Sequence, residues 1–176
     1  MLFRSIHGTN TIEGGRLNLE ETGAVLRIAP ALIKEEEGRR VANIKVAYDL
    51  AQEKANRPDW LPDATFACQL HAAVTQGLTS VDARNQPGIL RDNPKGFTTY
   101  VGSTDTGGRY KPPQSGRDIA RLLEELMAWH AGLAAQGVPA LVRAPLLHLY
   151  FELVHPFWDG NGRVGRALEA SVLLAA

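Results

Sequence analysis

The sequence predicts an all-α body carrying one small β-hairpin, and three observations lead there. Apolar residues recur at helical spacing through most of the chain, polar caps precede several of those runs, and a glycine-dense stretch between Gln86 and Pro113 breaks the pattern. Taken in order, Asn18-Leu-Glu-Glu21 has capping-box spacing and opens a short helix through Ala24, Leu26 and Ile28, ended near Pro30. A second helix is expected over residues 31–54, with Ile33, Val41, Ile44, Val46, Tyr48 and Leu50 as its apolar positions. After the break at Arg57-Pro-Asp-Trp-Leu-Pro62, residues 64–78 carry Phe66, Leu70, Val74 and Leu78 four apart, which lines one helix face. Phe97-Thr-Thr-Tyr-Val101 is β-prone, Ser103-Thr-Asp-Thr-Gly-Gly108 is turn chemistry, and Arg109-Tyr-Lys111 supplies a return strand. Ser115-Gly-Arg-Asp118 caps a helix bearing Ile119, Leu122, Leu123, Leu126 and Met127. The last full helix before the polar loop, residues 144–154, is apolar nearly all round and is expected at the centre of the bundle.

Composition narrows the function classes. The 176 residues hold 19 Lys and Arg against 19 Asp and Glu, so the formal net charge is zero and a non-specific nucleic-acid binder is disfavoured. Cys68 is the only cysteine, which rules out an intrachain disulfide and suits a reducing compartment. It sits between apolar neighbours and reads as a small core residue. No stretch is apolar over a bilayer's width and no signal-like segment opens the chain, so a cytoplasmic protein without membrane contact is expected.

The chemistry gathers in His155-Pro-Phe-Trp-Asp-Gly-Asn-Gly-Arg-Val-Gly-Arg166. Pro156 ends the apolar helix at about His155, and a new helix is expected to start near Gly162 or Arg163. Asp159-Gly-Asn-Gly162 is then a loop opening onto a helix N-terminus, where free N–H groups and the helix dipole favour phosphate. Arg163 and Arg166, three apart, can fork onto phosphate oxygens. Asp159 is a carboxylate suited to Mg²⁺, and His155 titrates in the range of a general base. Phe157 reads as an anchor to the core. Taken singly, such a histidine is more often a cap, such a loop a turn, and such arginines solvated charges; the ordered set is what carries weight.

In its order of fixed positions this stretch resembles the signature of the Fic family, His-x-Phe-x-(Asp/Glu)-Gly-Asn-Gly-Arg-x-x-Arg. The resemblance implies a helical bundle with a hairpin flap over the active site. It also implies transfer of AMP from ATP to a Ser, Thr or Tyr hydroxyl of a target protein, with release of pyrophosphate. His155 would then deprotonate the hydroxyl, and Asp159 would hold Mg²⁺ (or Mn²⁺). Gly160, Asn161 and Gly162 would cradle the anion, Arg163 would contact the β-side phosphates, and Arg166 would hold the γ-phosphate. Pro87-Gly-Ile-Leu-Arg91 and the hairpin through Lys111-Pro-Pro113 are similar to the family's flap, which would place Thr98, Thr99, Tyr100, Val101 and Gly102 against the target chain by strand pairing.

Upstream, Thr9-Asn-Thr-Ile-Glu-Gly14 resembles the family's inhibitory pattern, (Ser/Thr)-x-x-x-Glu-(Gly/Asn), as found in members whose inhibitory helix precedes the core. It implies that Glu13, with Thr9 and Gly14 around it, pairs with Arg166 and leaves ATP in an unproductive pose. Residues 1–60 are thus expected as a regulatory segment and 61–176 as the catalytic core. Two alternatives stand beside AMP transfer: removal of AMP with Glu13 positioning water, and nucleotide binding without transfer. The partners expected are a hydroxyl-bearing target protein, the chain itself as a self-modification substrate, and a second copy in a homo-oligomer. Members of the family generally continue beyond the point that corresponds to Ala176, so either a truncated C-terminus or a partner burying that apolar end is expected, truncation being favoured.

Overall fold

The structure, a computed structural model, describes residues 2–80 and 82–176. Helix α1 (Leu2–Ile12) leads into α2 (Leu19–Val25), whose N-cap Asn18 forms the expected capping box with Glu21. Helix α3 (Glu36–Ala55) follows a 3₁₀ turn over Pro30–Leu32, so the helix expected from residue 31 begins at Glu36. The reason is Ile33: it is buried at the bend, extended at φ −80°, and covers Gly38 on the first turn of α3. Helix α4 (Ala64–Thr75) is capped by Asp63 and stops three residues before Leu78. There Asn43 captures the Gln76 carbonyl at 2.8 Å and Arg39 the Gly77 carbonyl at 2.9 Å, so both are held outside the helix.

The hairpin is smaller than its β-prone sequence. Strands β1 (Val101–Ser103) and β2 (Gly108–Tyr110) pair antiparallel, Val101 opposite Tyr110. Thr98, Thr99 and Tyr100 therefore lie outside the strands, and of the five expected docking residues only Val101 and Gly102 belong to β1. The cause is local: the Gln114 side chain accepts from the Thr99 N–H at 2.8 Å and donates to its carbonyl at 3.2 Å, taking the groups a strand would use.

Helix α5 (Gly116–Ala135) starts at its predicted cap, Ser115. Helix α6 (Ala140–Val154) begins four residues earlier than expected and tolerates Pro145 inside it. The N–H missing from Pro145 would have bonded Leu141, which is exposed to water. Burial of α6 is one-sided, a correction to its expected central place. Ala144, Leu147, Phe151 and Val154 face inward, while Leu149, Tyr150 and Leu153 are 54%, 45% and 43% exposed. Helix α7 (Asn161–Leu174) closes the body, packed on α6, α3 and α4.

One apolar core joins Ala47 and Ala51 of α3, Phe66 and Leu70 of α4, Leu123 of α5, Phe151 of α6 and Val164 and Leu168 of α7. A second, smaller cluster holds α1 onto α3 through Ile6, Val41, Ile44 and Tyr48. Because α3 belongs to both, whatever α1 carries is held at a fixed distance from α7. Among the described residues no helix is long and apolar enough to cross a membrane.

Candidate active site

The site lies where α6 ends and α7 begins. His155 is the C-cap of α6, in the left-handed region at φ 48° and ψ 61°, and its N–H still reaches the Phe151 carbonyl at 2.9 Å. A non-glycine residue held there costs roughly 1–2 kcal/mol, so neighbours must enforce it. Arg91, fully buried, does so. Its guanidinium donates to the carbonyls of His155 (2.6 Å) and Pro113 (2.5 Å) and to Asn93, while the Arg91 N–H donates to the Pro156 carbonyl at 2.9 Å. Burial, and then the Arg91 charge, push the His155 imidazole down to about 4. At neutral pH it is therefore uncharged and able to accept a proton.

Phe157 is buried and stacks flat on His71 of α4, ring centres 3.8 Å apart. Gly88 donates its N–H to His71 Nδ1 at 2.9 Å, so Nε2 carries the proton and donates to the Asp159 carbonyl at 3.1 Å. Asn161 closes the same loop from inside, accepting from the Phe157 N–H and donating to its carbonyl. Its side chain is thus turned into the loop, and only its backbone faces the space above α7. Gly160 is the N-cap at φ 79°, where a Cβ would also meet Thr75 at 3.2 Å. Val164 is the first α7 residue to find an intrahelical acceptor, the Gly160 carbonyl at 3.0 Å. The N–H groups of Asn161, Gly162 and Arg163 consequently open onto the site.

Charged groups converge above that turn. Arg163, almost fully buried, donates to the Val74 carbonyl and to Asp159 Oδ1, both at 3.0 Å. Arg166 donates to Glu13 Oε1, and Glu13 Oε2 lies 3.8 Å from Arg163 Nε. The carboxylate sits directly over Gly162, where a Cβ would come within 2.5 Å of Glu13 Oε1 and 3.0 Å of Arg166 Nη2. Glu13 reaches this place from the C-terminal end of α1, just before Gly14 turns the chain at φ 79°. Thr9, buried one turn earlier, anchors that end through a 3.1 Å bond between its hydroxyl and Tyr48 of α3.

Asp159 fits a cation in a limited way. Its two hydrogen bonds, from Gly160 and Arg163, both fall on Oδ1, and Oδ2 makes none among the described residues. No three His, Cys, Asp or Glu side chains converge among those residues, so a divalent ion here would rely on phosphate and water for its other ligands. The hairpin approaches the same end of α6: the Tyr110 hydroxyl donates to the carbonyls of Glu152, at 3.0 Å, and Leu153.

His155, Asp159, Gly160, Asn161, Gly162, Arg163, Arg166 and Glu13 are therefore found together, with Thr9 and Gly14 bracketing the turn that carries Glu13; of the five hairpin positions, three lie outside the strands. His71 and Glu152 were not anticipated, and Arg91, expected only as part of the flap, holds the loop instead. Arg91 and His71 act through backbone groups of the loop, which leaves no spacing in the sequence to read. Glu152 stands one helical turn before His155 and was hidden within an otherwise apolar run.

Comparisons with known proteins bear on the family and the fold. A family model described as Fic/DOC family matches residues 61–173, the greater part of the chain. "Protein adenylyltransferase Fic" of Drosophila ananassae is 27% identical over 99% of this chain, which spans 32% of that protein. A probable protein adenylyltransferase of Aquifex aeolicus is 31% identical over 39% of this chain and 20% of its own length. The chain thus spans about a third or less of these curated relatives. Among solved structures, a Fic domain containing signaling protein from Bacteroides thetaiotaomicron superposes with a TM-score of 0.82 at 20% identity, covering 99% of this chain and 62% of the other. Fic-1 from C. elegans gives 0.74 at 22% identity, covering 98% and 48% respectively.

Proposed function

The chain belongs to the Fic/DOC family, and from that premise we propose that it is the catalytic part of a protein adenylyltransferase held in check by Glu13. The reaction joins a target hydroxyl to the α-phosphorus of ATP and breaks the bond to pyrophosphate. His155, uncharged at neutral pH, takes the hydroxyl proton as the new P–O bond forms. The first turn of α7 and Arg163 grip the phosphates, and Arg166 holds the terminal one. Mg²⁺ bound at Asp159 would supply charge neutralisation between the phosphates. The free edge of β1, at Val101 and Gly102, would align the target chain by strand pairing, and the same hydroxyl chemistry would allow self-modification.

The observation that carries this reading is the Glu13 carboxylate over Gly162, between Arg163 and Arg166. A carboxylate there stands in for a phosphate group: it uses the same cations and the same helix end. ATP therefore competes with the chain's own side chain for the productive pose. The test is intact-mass measurement after incubation with ATP and Mg²⁺. The Glu13→Gly protein is expected to gain AMP, and wild type to gain far less. A mass unchanged in both, with ATP still bound, would overturn transfer; equal gain in both would overturn the restraint. Release of AMP from a pre-modified target, dependent on Glu13, would instead identify removal as the net direction.

A further inference from the structure

Behind His155 lies a row of side chains that the proposed reaction does not yet use. Glu152, in the last turn of α6, is three residues before the C-cap His155, and the two side chains lie close together. Its Oε2 lies 3.9 Å from His155 Nδ1, and its Oε1 lies 3.9 Å from Nε2 of His148, a further turn back. His148 Nδ1 in turn meets Glu169 Oε2 of α7 at 2.7 Å. The row Glu169, His148, Glu152, His155 thus runs along the junction of α6 and α7 and ends on the base.

Two features mark the row as a packed polar arrangement. Glu152 Oε1 and His155 Nδ1 are both buried polar atoms without a hydrogen-bond partner. A buried donor or acceptor left unpaired costs about 1–3 kcal/mol, so both call for an account: Oε1 is the oxygen toward His148 Nε2, and Oε2 is the one 3.9 Å from His155 Nδ1. The second feature is Gly165 on α7. A Cβ there would fall 2.5 Å from His148 Cδ2 and 3.0 Å from Glu152 Oε1, so only a glycine lets these two side chains lie against α7.

We propose, resting on the transferase reading above, that Glu152 is a positioning residue for the catalytic base: its carboxylate takes the Nδ1–H of His155, fixes the ring, and leaves Nε2 as the lone-pair nitrogen facing the target hydroxyl. The 3.9 Å gap closes by a small side-chain rotation, as catalytic hydrogen bonds that are loose without substrate tighten with it. When Nε2 accepts the hydroxyl proton, the imidazolium keeps Nδ1–H on Glu152, and no further proton acceptor is needed. Arg91 completes the arrangement by holding the backbone at His155 while Glu152 holds the ring.

The charges around Glu152 couple it to the restraint. Burial raises its carboxyl, His148 and Arg166 lower it, and Glu13 raises it. Glu169 acts on it through His148, and Arg91 acts on His155 from the other side. Glu13 leaving Arg166 therefore favours the ionised carboxylate that the base requires. The restraint and the base are linked through one guanidinium.

The first arm of the test needs no substrate. In ¹⁵N-histidine NMR at neutral pH, His155 of wild type is expected as the Nδ1–H tautomer. Glu152→Gln should abolish that preference, since a neutral amide is a weaker acceptor and can also donate. In the Glu13→Gly background, Glu152→Gln should lower kcat by at least roughly tenfold with little change in KM for ATP, and move the acid limb of the pH profile to lower pH. Should Glu152→Gln not fold, Glu152→Asp, charged but one methylene shorter, is expected to weaken the tautomer preference. An Nε2–H tautomer in wild type, or the same tautomer populations and kcat in the variant, overturns the proposal. A tautomer that responds in a protein unable to transfer AMP would leave Glu152's role standing and remove the transferase reading instead.

Discussion

Replacing Glu13 with glutamine keeps the shape of the side chain over Gly162 and removes its charge. Charge-assisted hydrogen bonds contribute about 1.5–3 kcal/mol and neutral ones about 0.5–1.5, so the amide should hold Arg166 roughly 1–2 kcal/mol less firmly. Both partners are mostly buried, at 17% and 25% side-chain exposure, so solvent does not erase the difference. If ATP and Glu13 compete for the same guanidinium, a magnesium complex of a non-hydrolysable ATP analogue should bind Glu13→Gln about 5–30 times more tightly, as 1–2 kcal/mol corresponds to that factor. Titration calorimetry measures it. The same change leaves Arg163 and Arg166 without their shared anion, so the ligand-free protein should melt lower by roughly 2–8 °C, at about 2–4 °C per kcal/mol for a chain of this size. Tighter binding together with a lower melting temperature is the signature of competition. Binding unchanged within twofold, at whatever melting temperature, would refute it.

Other outcomes follow from the same geometry. Phe157→Ala removes a fully buried ring stacked on His71 and should cost about 3–5 kcal/mol in denaturant unfolding. Arg91→Met leaves the carbonyls of His155 and Pro113 without their buried donor, and should destabilise by about 3 kcal/mol or more while freeing the hairpin, seen as faster amide exchange at β1 and β2. His130 gives a pH dependence of defined sign: burial, then Arg143, lower it from 6.5 to about 4, so the unfolded chain binds the proton first. Its contribution is intact above pH 6.5 and is lost as pH falls toward 4, at up to about 1.4 kcal/mol per pH unit. Unfolding of wild type and His130→Gln across that range should show the shallower slope in the variant.

The signature residues were legible because a phosphate grip needs cations and glycines at fixed helical spacing. Gly160, Gly162, Arg163 and Arg166 therefore carry their proposed roles in local sequence. The capping signals at Asn18 and Ser115 were equally local and gave correct helix starts. What could not be read depended on partners far along the chain. Gln114 takes the backbone of Thr99 and shortens a β-prone stretch, and Arg91 secures a carbonyl 64 residues away. Helix α6 misled in the opposite direction, since the nearly all-apolar run over 144–154 predicts full burial although Leu149, Tyr150 and Leu153 face solvent. Glu152 was lost in that run because its meaning lies in a neighbouring turn and in Gly165 of another helix.

The Glu13–Arg166 contact joins residues 153 positions apart. Synthesis is vectorial, so α1 and its platform α3 leave the ribosome well before residues 155–166 exist. Residues 155–166 therefore emerge after the segment that carries Glu13. Under the proposed restraint, the anion site would be completed only after the carboxylate that occupies it has been made.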